Sequence, residues 1–236
     1  MTSESLFSGD LKLKSKDSLR GCWGVLIGIY LLYILVLTIL SIPSTAISFF
    51  QELIIQNQDS SGDEIIIIVI VSTLLTSFLS FIILFLQGSL NFGLFFASLK
   101  ISRDEEVKIS DLFLGFKKNN FLRSSVTFVL VNIFTQLWTL LLIIPGIIKG
   151  FSYSMTTFIM IDNPNMGYTK AITESRRIMN NHKWNLLSLF ASFIPLYLLG
   201  VLVTILTCGV GLISFLWIYA YIQISFAHFY NSIKSN

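Results

Sequence analysis

The sequence is poor in charged residues, which make up only 12% of its 236 positions, whereas 54% are hydrophobic. Soluble domains carry about 25% charged residues. Apolar runs of about 20 residues, the length that crosses a hydrocarbon core of about 30 Å, recur from Cys22 onward. The composition therefore excludes an ordinary soluble domain and predicts a polytopic membrane protein.

The first apolar run has a second interpretation, because a basic segment precedes it and Ser44-Thr45-Ala46 resembles a signal-peptide cleavage site. The run Trp23–Ile42 is, however, longer than the 7–15 residues usual for the apolar part of a signal peptide. We therefore favour a retained span over a cleaved leader.

Metal ligands and reactive motifs are also scarce. The chain has 2 cysteines, Cys22 and Cys208, in no CxxC motif, and 2 histidines, His182 and His228. This argues against a structural zinc site, and we predict no metal and no cofactor. The sequence also lacks a nucleophile elbow, a Walker loop, an HExxH motif and paired catalytic carboxylates. We therefore predict that the protein is not an enzyme, and we expect no nucleic-acid partner.

The apolar runs predict an all-α polytopic membrane helix bundle, a single domain at 20–231 between cytoplasmic tails at 1–19 and 232–236. The second run, Glu64–Lys100, has 37 residues. It would measure about 55 Å as one helix, and we favour one long helix with a bend at Gly88 over a straight one. Pro145-Gly146 predicts a tight turn between the third and fourth spans, and Pro195 a kink in the fifth. The six predicted spans are 20–42, 64–100, 123–144, 146–162, 184–207 and 209–231.

Two short amphipathic helices are predicted on the cytoplasmic membrane surface. In the first, Ile109, Leu112, Phe113 and Phe116 recur at the i, i+3, i+4, i+7 spacing of an apolar helix face. The second, at about 164–180, would be capped by Asn163 with Pro164 at its first position. One face of this second helix carries Tyr168, Ala171, Ile172, Ser175, Ile178 and Met179, and the other carries Lys170, Glu174, Arg176 and Arg177.

Basic residues lie almost entirely on one side of the predicted membrane. Of the 16 Lys and Arg residues, all but Lys149 fall in the N-terminal tail, the 98–123 loop, the 163–183 loop or the C-terminus. Cytoplasmic loops carry such an excess of positive charge. Both termini are therefore predicted to be cytoplasmic, in a multi-pass protein of the cell membrane.

Two stretches, 88–121 and 150–184, share an order of features. Each runs from a helix end through a charged loop and an amphipathic helix into the next span. Both would leave and re-enter the membrane on the same side, which predicts parallel repeats. Their sequence identity is low, so common ancestry stays open.

Three stretches of the chain carry a family resemblance. They are Leu137–Pro164, which contains IIPGII and IDNP, SRRIMNNHKW at Ser175–Trp184 and AYIQISFAHFY at Ala220–Tyr230. They resemble an uncharacterised family of integral membrane proteins common in Gram-positive bacteria, catalogued as domain of unknown function 975. The resemblance covers roughly Leu86–Tyr230 and implies a bacterial cytoplasmic-membrane helix bundle. It implies no activity.

Polar side chains at membrane depth form a candidate cavity at the repeat interface. They fall into three i, i+4 pairs, each on one helix face, and interhelical hydrogen bonding is the alternative role. Lys149 could bind an anionic headgroup or substrate, or it could anchor its helix at the outer interface. The candidate cavity residues are Gln87, Asn91, Asn132, Gln136, Lys149, Tyr153 and Thr157.

A second candidate site lies on the cytoplasmic side. Its residues could contact lipid or take part in chemistry, or they could only end one helix and begin the next. The basic faces favour contact with anionic inner-leaflet lipid. The candidate residues are Asp162, Asn163, Pro164, Arg176, Arg177 and His182.

The predicted function is a non-enzymatic membrane protein that interacts with the lipid bilayer, with a membrane-protein partner or with itself. The alternative is a transporter or channel for a small or lipid-like substrate. No acidic residue lies deep in a predicted span, which argues against an ion-coupled carrier. An enzyme, the third alternative, would need Asp162, His182, Arg176 and Arg177 to meet within hydrogen-bond reach.

Overall fold

The computed structural model describes residues 3–56, 62–207 and 209–234, and this part of the chain is helical almost throughout, with no β-strand. Cys208, the loop residue Asp59 and the last two residues of the predicted C-terminal tail lie outside the described residues. The α-helices are α1 Ser3–Ser18, α2 Trp23–Gln56, α3 Gly62–Ile101, α4 Phe121–Leu141, α5 Ile143–Tyr153, α6 Thr156–Asp162, α7 Tyr168–Ile178, α8 Lys183–Ala191, α9 Ile194–Leu206 and α10 Ile213–Lys234, with 3-10 helices at Ile109–Phe116 and Val210–Leu212.

Four stretches in the described part of the chain are long and apolar enough to cross a membrane. They are Trp23–Gln56, Asp63–Ile101, Phe121–Leu141 and Lys183–Leu206, and they correspond to the predicted spans one, two, three and five. Predicted span four is divided at Ser154-Met155 into the short helices α5 and α6. The all-helical class is thus confirmed, whereas the count of six spans stays a prediction.

The chain breaks close to Pro145 and Pro195, but not at the predicted residues, whereas α2 continues through Pro43 to Gln56, beyond the predicted end of span one at residue 42. Between α4 and α5 it reverses at Leu142, whose φ of −159° and ψ of 137° are extended. The turn therefore precedes Pro145, which occupies the first turn of α5, where a missing N–H is tolerated. Pro195 likewise lies in the first turn of α9, so the predicted kink is a break between α8 and α9. In contrast, α3 runs through Gly88 as one continuous helix.

The spans form three helical hairpins arranged in a ring. The first is α2–α3, the second is α4 with α5 and α6, and the third is α8 and α9 with α10. The second half of each hairpin packs against the first helix of the next one. Thus α3 packs against α4, α5 against α8, and α10 against α2. The contact between α10 and α2 closes the ring. The three hairpins are thus arranged with approximate threefold symmetry, whereas the sequence predicted two repeats.

A short helix follows each hairpin around this ring. The Ile109–Phe116 helix packs on α3 and α2, and α7 packs on α6, α5 and α4. The N-terminal helix α1 packs on α10 and α8, which is the corresponding place on the third hairpin. We name the end of the bundle where these three helices pack the base, and the opposite end, where the hairpins reverse, the tips.

The match between α1 and α7 extends to individual hydrogen bonds. The bonds Leu19 N–H to Ser15 O, Cys22 N–H to Leu19 O and Leu26 N–H to Cys22 O recur 160 residues later, beginning with Met179 N–H to Ser175 O. The segment 1–19, which we predicted as a tail outside the helix bundle, therefore contains a helix that packs on the bundle. Its apolar positions Leu11 and Leu19 are few but correctly spaced, and both are buried.

Most of the buried side chains lie in the base. In α3, Leu90, Ala97 and Leu99 are at most 1% exposed, whereas the most apolar stretch of the same helix has no buried residue. The apolar side chains of the tips are exposed on all three hairpins. An uncovered apolar surface of this extent is unstable in water, so the tips require an apolar solvent.

Close backbone packing fixes the Ile109–Phe116 helix on α3. A Cβ atom added at Gly93 would lie 1.9 Å from Leu112 O, and one added at Gly115 would lie 2.0 Å from Ser89 O. In contrast, a Cβ at Gly24 would have no atom within 4 Å. The Gly24–Gly28 pair, although spaced as in helix-packing motifs, is therefore not a close helix crossing.

We predict that Gly93→Ala destabilises the protein by about 1–3 kcal/mol, because the added methyl group must push the Ile109–Phe116 helix away from α3. The matched control is Gly24→Ala, which should be neutral or stabilising, since alanine favours a helix more than glycine does. Thermal unfolding of the purified proteins in one detergent measures both. Equal midpoints for the two variants would contradict the packing.

Candidate functional site

The ends of α6 and α10 and the loop after α3 meet at one carboxylate in the base. Arg103 binds Asp162 with two hydrogen bonds, from Nη1 and Nη2 to the two carboxylate oxygens, each 2.9 Å. Lys234 Nζ lies 2.5 Å from Asp162 Oδ2, and Tyr230 Oη donates to the same oxygen at 3.0 Å. We name Asp162, Arg103, Lys234 and Tyr230 the Asp162 cluster.

The electrostatics of the Asp162 cluster are those of a structural anchor. The Asp162 side chain is 7% exposed, so its charge has left water and needs these partners. Hydrogen bonds to Asp162 raise the pKa of the Arg103 guanidinium above its ordinary value, against the opposing effect of burial. Asn231 Oδ1 accepts a further hydrogen bond from Arg103 Nε at 3.3 Å. The two carboxylate oxygens together accept four hydrogen bonds, which leaves the carboxylate little capacity to act as a base.

A second arginine closes the turn after α6. Arg123, at the start of α4, donates to the backbone oxygens of Met160, Asn163 and Met166 at 3.0, 2.6 and 2.8 Å. The Met160 oxygen lies in the last turn of α6, where carbonyls have no partner within the helix, whereas the Asn163 oxygen also accepts from Met166 N–H at 3.0 Å. The turn therefore depends on a charge from the neighbouring helix.

Asn163 and Pro164 have a different role from the predicted one. Asn163 ends α6, and its side-chain Nδ2 donates back to Ile159 O at 2.9 Å. The cap of α7 is Gly167, four residues later than predicted, and Pro164 lies in the turn. The interpretation that these residues end one helix before the next begins is thus the better one.

The remaining predicted cytoplasmic residues do not join Asp162 in a reactive cluster. Arg177 is paired with Glu174 at 2.6 and 2.9 Å, and this pairing lowers the pKa of the Glu174 carboxyl. Arg176 is exposed and forms no ion pair among the described residues. His182 caps α8 through its backbone. The constellation that catalysis would need is therefore not assembled.

Two of the candidate cavity residues join neighbouring helices. Gln87 and Asn91 both donate to Tyr33 Oη, at 3.3 and 3.2 Å, which joins α3 to α2. Asn132 Nδ2 donates to Phe128 O of its own helix at 2.8 Å, while Gln136 is exposed. These residues fit the alternative of hydrogen bonding within and between helices.

The candidate cavity residues of α5 and α6 have other contacts. Tyr153 is buried against the Phe134 ring, with centroids 6.3 Å apart, and Thr157 is half-buried. Lys149 lies over the Trp138 ring at 4.6 Å, and its helix α5 packs against α7 and α8, which carry Arg176 and Lys183. The predicted topology had separated Lys149 from all other basic residues. In the structure, its helix contacts two helices that carry basic residues.

The sequence interpretation missed the partners of Asp162 and the role of Arg123. Arg103 and Lys234 each come directly after, or at the end of, a long helix, and Tyr230 closes the stretch Ala220–Tyr230. These positions were a usable signal, because side chains at the same end of neighbouring helices can meet. Among residues 3–56, 62–207 and 209–234, no group of three or more His, Cys, Asp or Glu side chains could hold a metal ion.

The fold and the site together define a helical protein whose long apolar helices suit a membrane and whose charges gather at one end. The chain belongs to the family described as "Protein of unknown function (DUF975)", which it matches over residues 6–149 and 139–236. No curated protein and no solved structure matches the chain.

We predict that Asp162→Asn lowers the free energy of unfolding by about 2–3 kcal/mol, because two cations and a tyrosine lose a buried charged acceptor. The control is Asp17→Asn, which removes an exposed ion pair to Arg20 at 3.4 Å and should cost less than about 1 kcal/mol. Chemical unfolding of the purified variants measures both.

A double-mutant cycle with Arg103→Gln separates the pair energy from other effects of the asparagine. Additive effects of the two substitutions would contradict a direct role of the Arg103–Asp162 pair.

Proposed function

We propose that the protein is an integral membrane protein of six spans that acts without catalysis, as a scaffold whose base binds the anionic inner leaflet of the membrane. One observation carries the proposal: the base combines a closed interior with a periphery that is both apolar and basic. Each part of this observation bears on a different class of function.

The interior of the base supports a scaffold rather than a conduit. Phe158 stacks on Tyr230 with ring centroids 5.2 Å apart, and it also packs on Phe95 at 4.8 Å. Leu99 and Met155 belong to the same buried cluster. A water-filled path would have to replace this apolar packing where α3, α6 and α10 converge.

The periphery of the base supports contact with a membrane surface. Exposed apolar side chains lie on or beside all three short helices, among them Leu13, Phe113 and Trp184. Basic residues stand close to them in the sequence, including Lys14, Lys117 and Lys183. Helices with this combination bury their apolar side chains at the headgroup level and attract anionic lipid through their positive charges.

The alternative function, transport of a small or lipid-like substrate, draws support from a single atom. Gln223 Nε2 on α10 is buried without a hydrogen-bond partner among the described residues. Such an atom can mark the place of a ligand or a water molecule. The packed interior of the base weighs more, and we retain the scaffold.

The orientation of the base yields a direct test. We predict that a cysteine at Ser110, in the base, reacts with a membrane-impermeant maleimide only after cells are permeabilised, because the base carries the positive charge that stays in the cytoplasm. A cysteine at Gln56, at the tip of α2, should react in intact cells. Both are made in a background without Cys22 and Cys208. Labelling of Ser110→Cys but not Gln56→Cys in intact cells would invert the topology.

The lipid contact yields a second test, in nanodiscs of anionic or zwitterionic lipid. We predict that the wild type is more stable in anionic nanodiscs and therefore unfolds at a higher temperature there. Arg176→Gln should reduce this gain in the free energy of unfolding by about 1 kcal/mol, the contribution of one basic residue at an anionic surface. The matched control is the double variant Glu174→Gln, Arg177→Gln, which removes an ion pair without changing the net charge and should keep the full gain. A wild type that is equally stable in both lipids would refute the proposed lipid contact.

A further inference from the structure

Two contiguous cavities lie at the seam where α1 and α2 meet the third hairpin. The lower cavity, which is nearer the base, has a volume of about 360 Å³ and is lined by Lys16, Trp23, Leu196, Trp217, Ile218 and Tyr221. The upper one, of about 380 Å³, shares three of these residues, Leu196, Trp217 and Ile218, and continues along α9 and α10 to Val203 and Ile213. The two form one groove, which we name the seam groove.

The walls of the seam groove are chemically graded. Among the described residues that line its upper part, Ser214 is the only one with a hydroxyl, amide or charged side chain, and its hydroxyl already donates to Gly211 O at 2.6 Å. At its lower part Trp23 and Trp217 are stacked with centroids 4.6 Å apart. The groove thus offers an apolar slot that ends at an aromatic pair, as at the interfacial level of membrane proteins.

One cation stands at the lower mouth of the groove. The nearby Lys12 is already engaged, because its ammonium lies 2.5 Å from Ser192 O and over the Phe193 ring at 4.4 Å. Tyr221 Oη donates to Lys12 O at 3.0 Å, and Asp17 pairs with Arg20. Lys16 has no hydrogen bond or ion pair within the described part of the chain. Its charge is therefore available to a ligand.

We propose that the seam groove binds one anionic phospholipid, with an acyl chain in the Leu196–Val203 slot and the phosphate at Lys16. An acyl chain matches the apolar walls, and a phosphate matches the uncommitted ammonium where the apolar part ends. The site rests on the proposed function, since it requires the base to lie at the inner leaflet, and it adds a defined lipid position at the closure of the ring.

The position has a structural consequence for the ring. The first and third hairpins contact one another through α10 and α2, and Trp23 and Trp217 stack across this same seam. A lipid that fills the groove beside them would cover the apolar walls on both sides of the seam. The bound lipid would thus help to hold α1 and the start of α2 against the third hairpin.

Tryptophan fluorescence provides the test, because two of the 4 tryptophans line the groove. In a Trp138→Phe, Trp184→Phe background, emission comes from Trp23 and Trp217 alone. We expect chain-brominated phosphatidylglycerol, diluted into phosphatidylcholine vesicles, to quench this emission with about fivefold higher apparent affinity than brominated phosphatidylcholine, the effect of one basic residue at an anionic headgroup. Lys16→Gln should abolish the difference. The matched control Lys14→Gln, on the same helix but outside the groove lining, should retain it.

Equal quenching by the two lipids, or selectivity that survives Lys16→Gln, would overturn the site. Native mass spectrometry of the chain with all its tryptophans provides an independent readout if the double Phe background does not fold. The fraction of protein that retains one phosphatidylglycerol is expected to be lower in Lys16→Gln than in wild type and Lys14→Gln, and equal fractions in all three would also overturn the site. A stability gain in anionic nanodiscs without selective quenching would leave the lipid-binding scaffold standing and refute the groove alone.

Discussion

The buried carboxylate of Asp162 is the constraint on which the base depends. It lies where the three inner helices α3, α6 and α10 converge, and its partners come from the end of each neighbouring helix. A charge with a side-chain exposure of 7% is tolerated only with such partners. The cluster therefore fixes the axial positions of the three helices relative to one another. The apolar packing between Phe158 and Tyr230 adds stability. It is less directional than the hydrogen bonds of Asp162, so it constrains the axial positions of the helices less.

The ring of hairpins gives the Asp162 cluster its setting. Each hairpin contacts the next in the same manner, and each is followed by a short helix that covers the base. The N-terminal helix α1 belongs to this scheme although it comes first in the chain, because it covers the third hairpin and so closes the ring. The buried apolar residues of the base form three clusters, which the partly buried Tyr221 and Tyr30 link to one another. The exposed apolar tips suit lipid, which solvates such side chains as well as protein does.

Much of the protein's character could be predicted from local sequence. The scarcity of charge and the length of the apolar runs predicted a helical membrane protein, and four of the predicted spans recur as helices of sufficient length. The helix near Phe113 and the one around Ile172 were also located, the latter displaced by the turn at Pro164 to Gly167. The predicted apolar face of the second does not lie on the membrane surface, however, because Ala171, Ile172 and Met179 are buried against the protein. The segment 1–19 was misjudged because its buried positions include serines, Ser8 and Ser15, which an apolar pattern does not reveal.

The sequence by itself determined the solvent, the helical class and the end of the bundle at which charge gathers, because composition, run length and charge position are local properties. Only the tertiary structure decided which helix faces touch, how the ring closes and which residues meet Asp162. The physical reason is that a helix in lipid is apolar on all sides, so its periodicity does not distinguish the face that packs from the face that lipid covers. The contacts of Asp162 with Arg103 and Lys234 join residues 59 and 72 positions apart. Such pairs follow from the order of the hairpins around the ring, which no local pattern records.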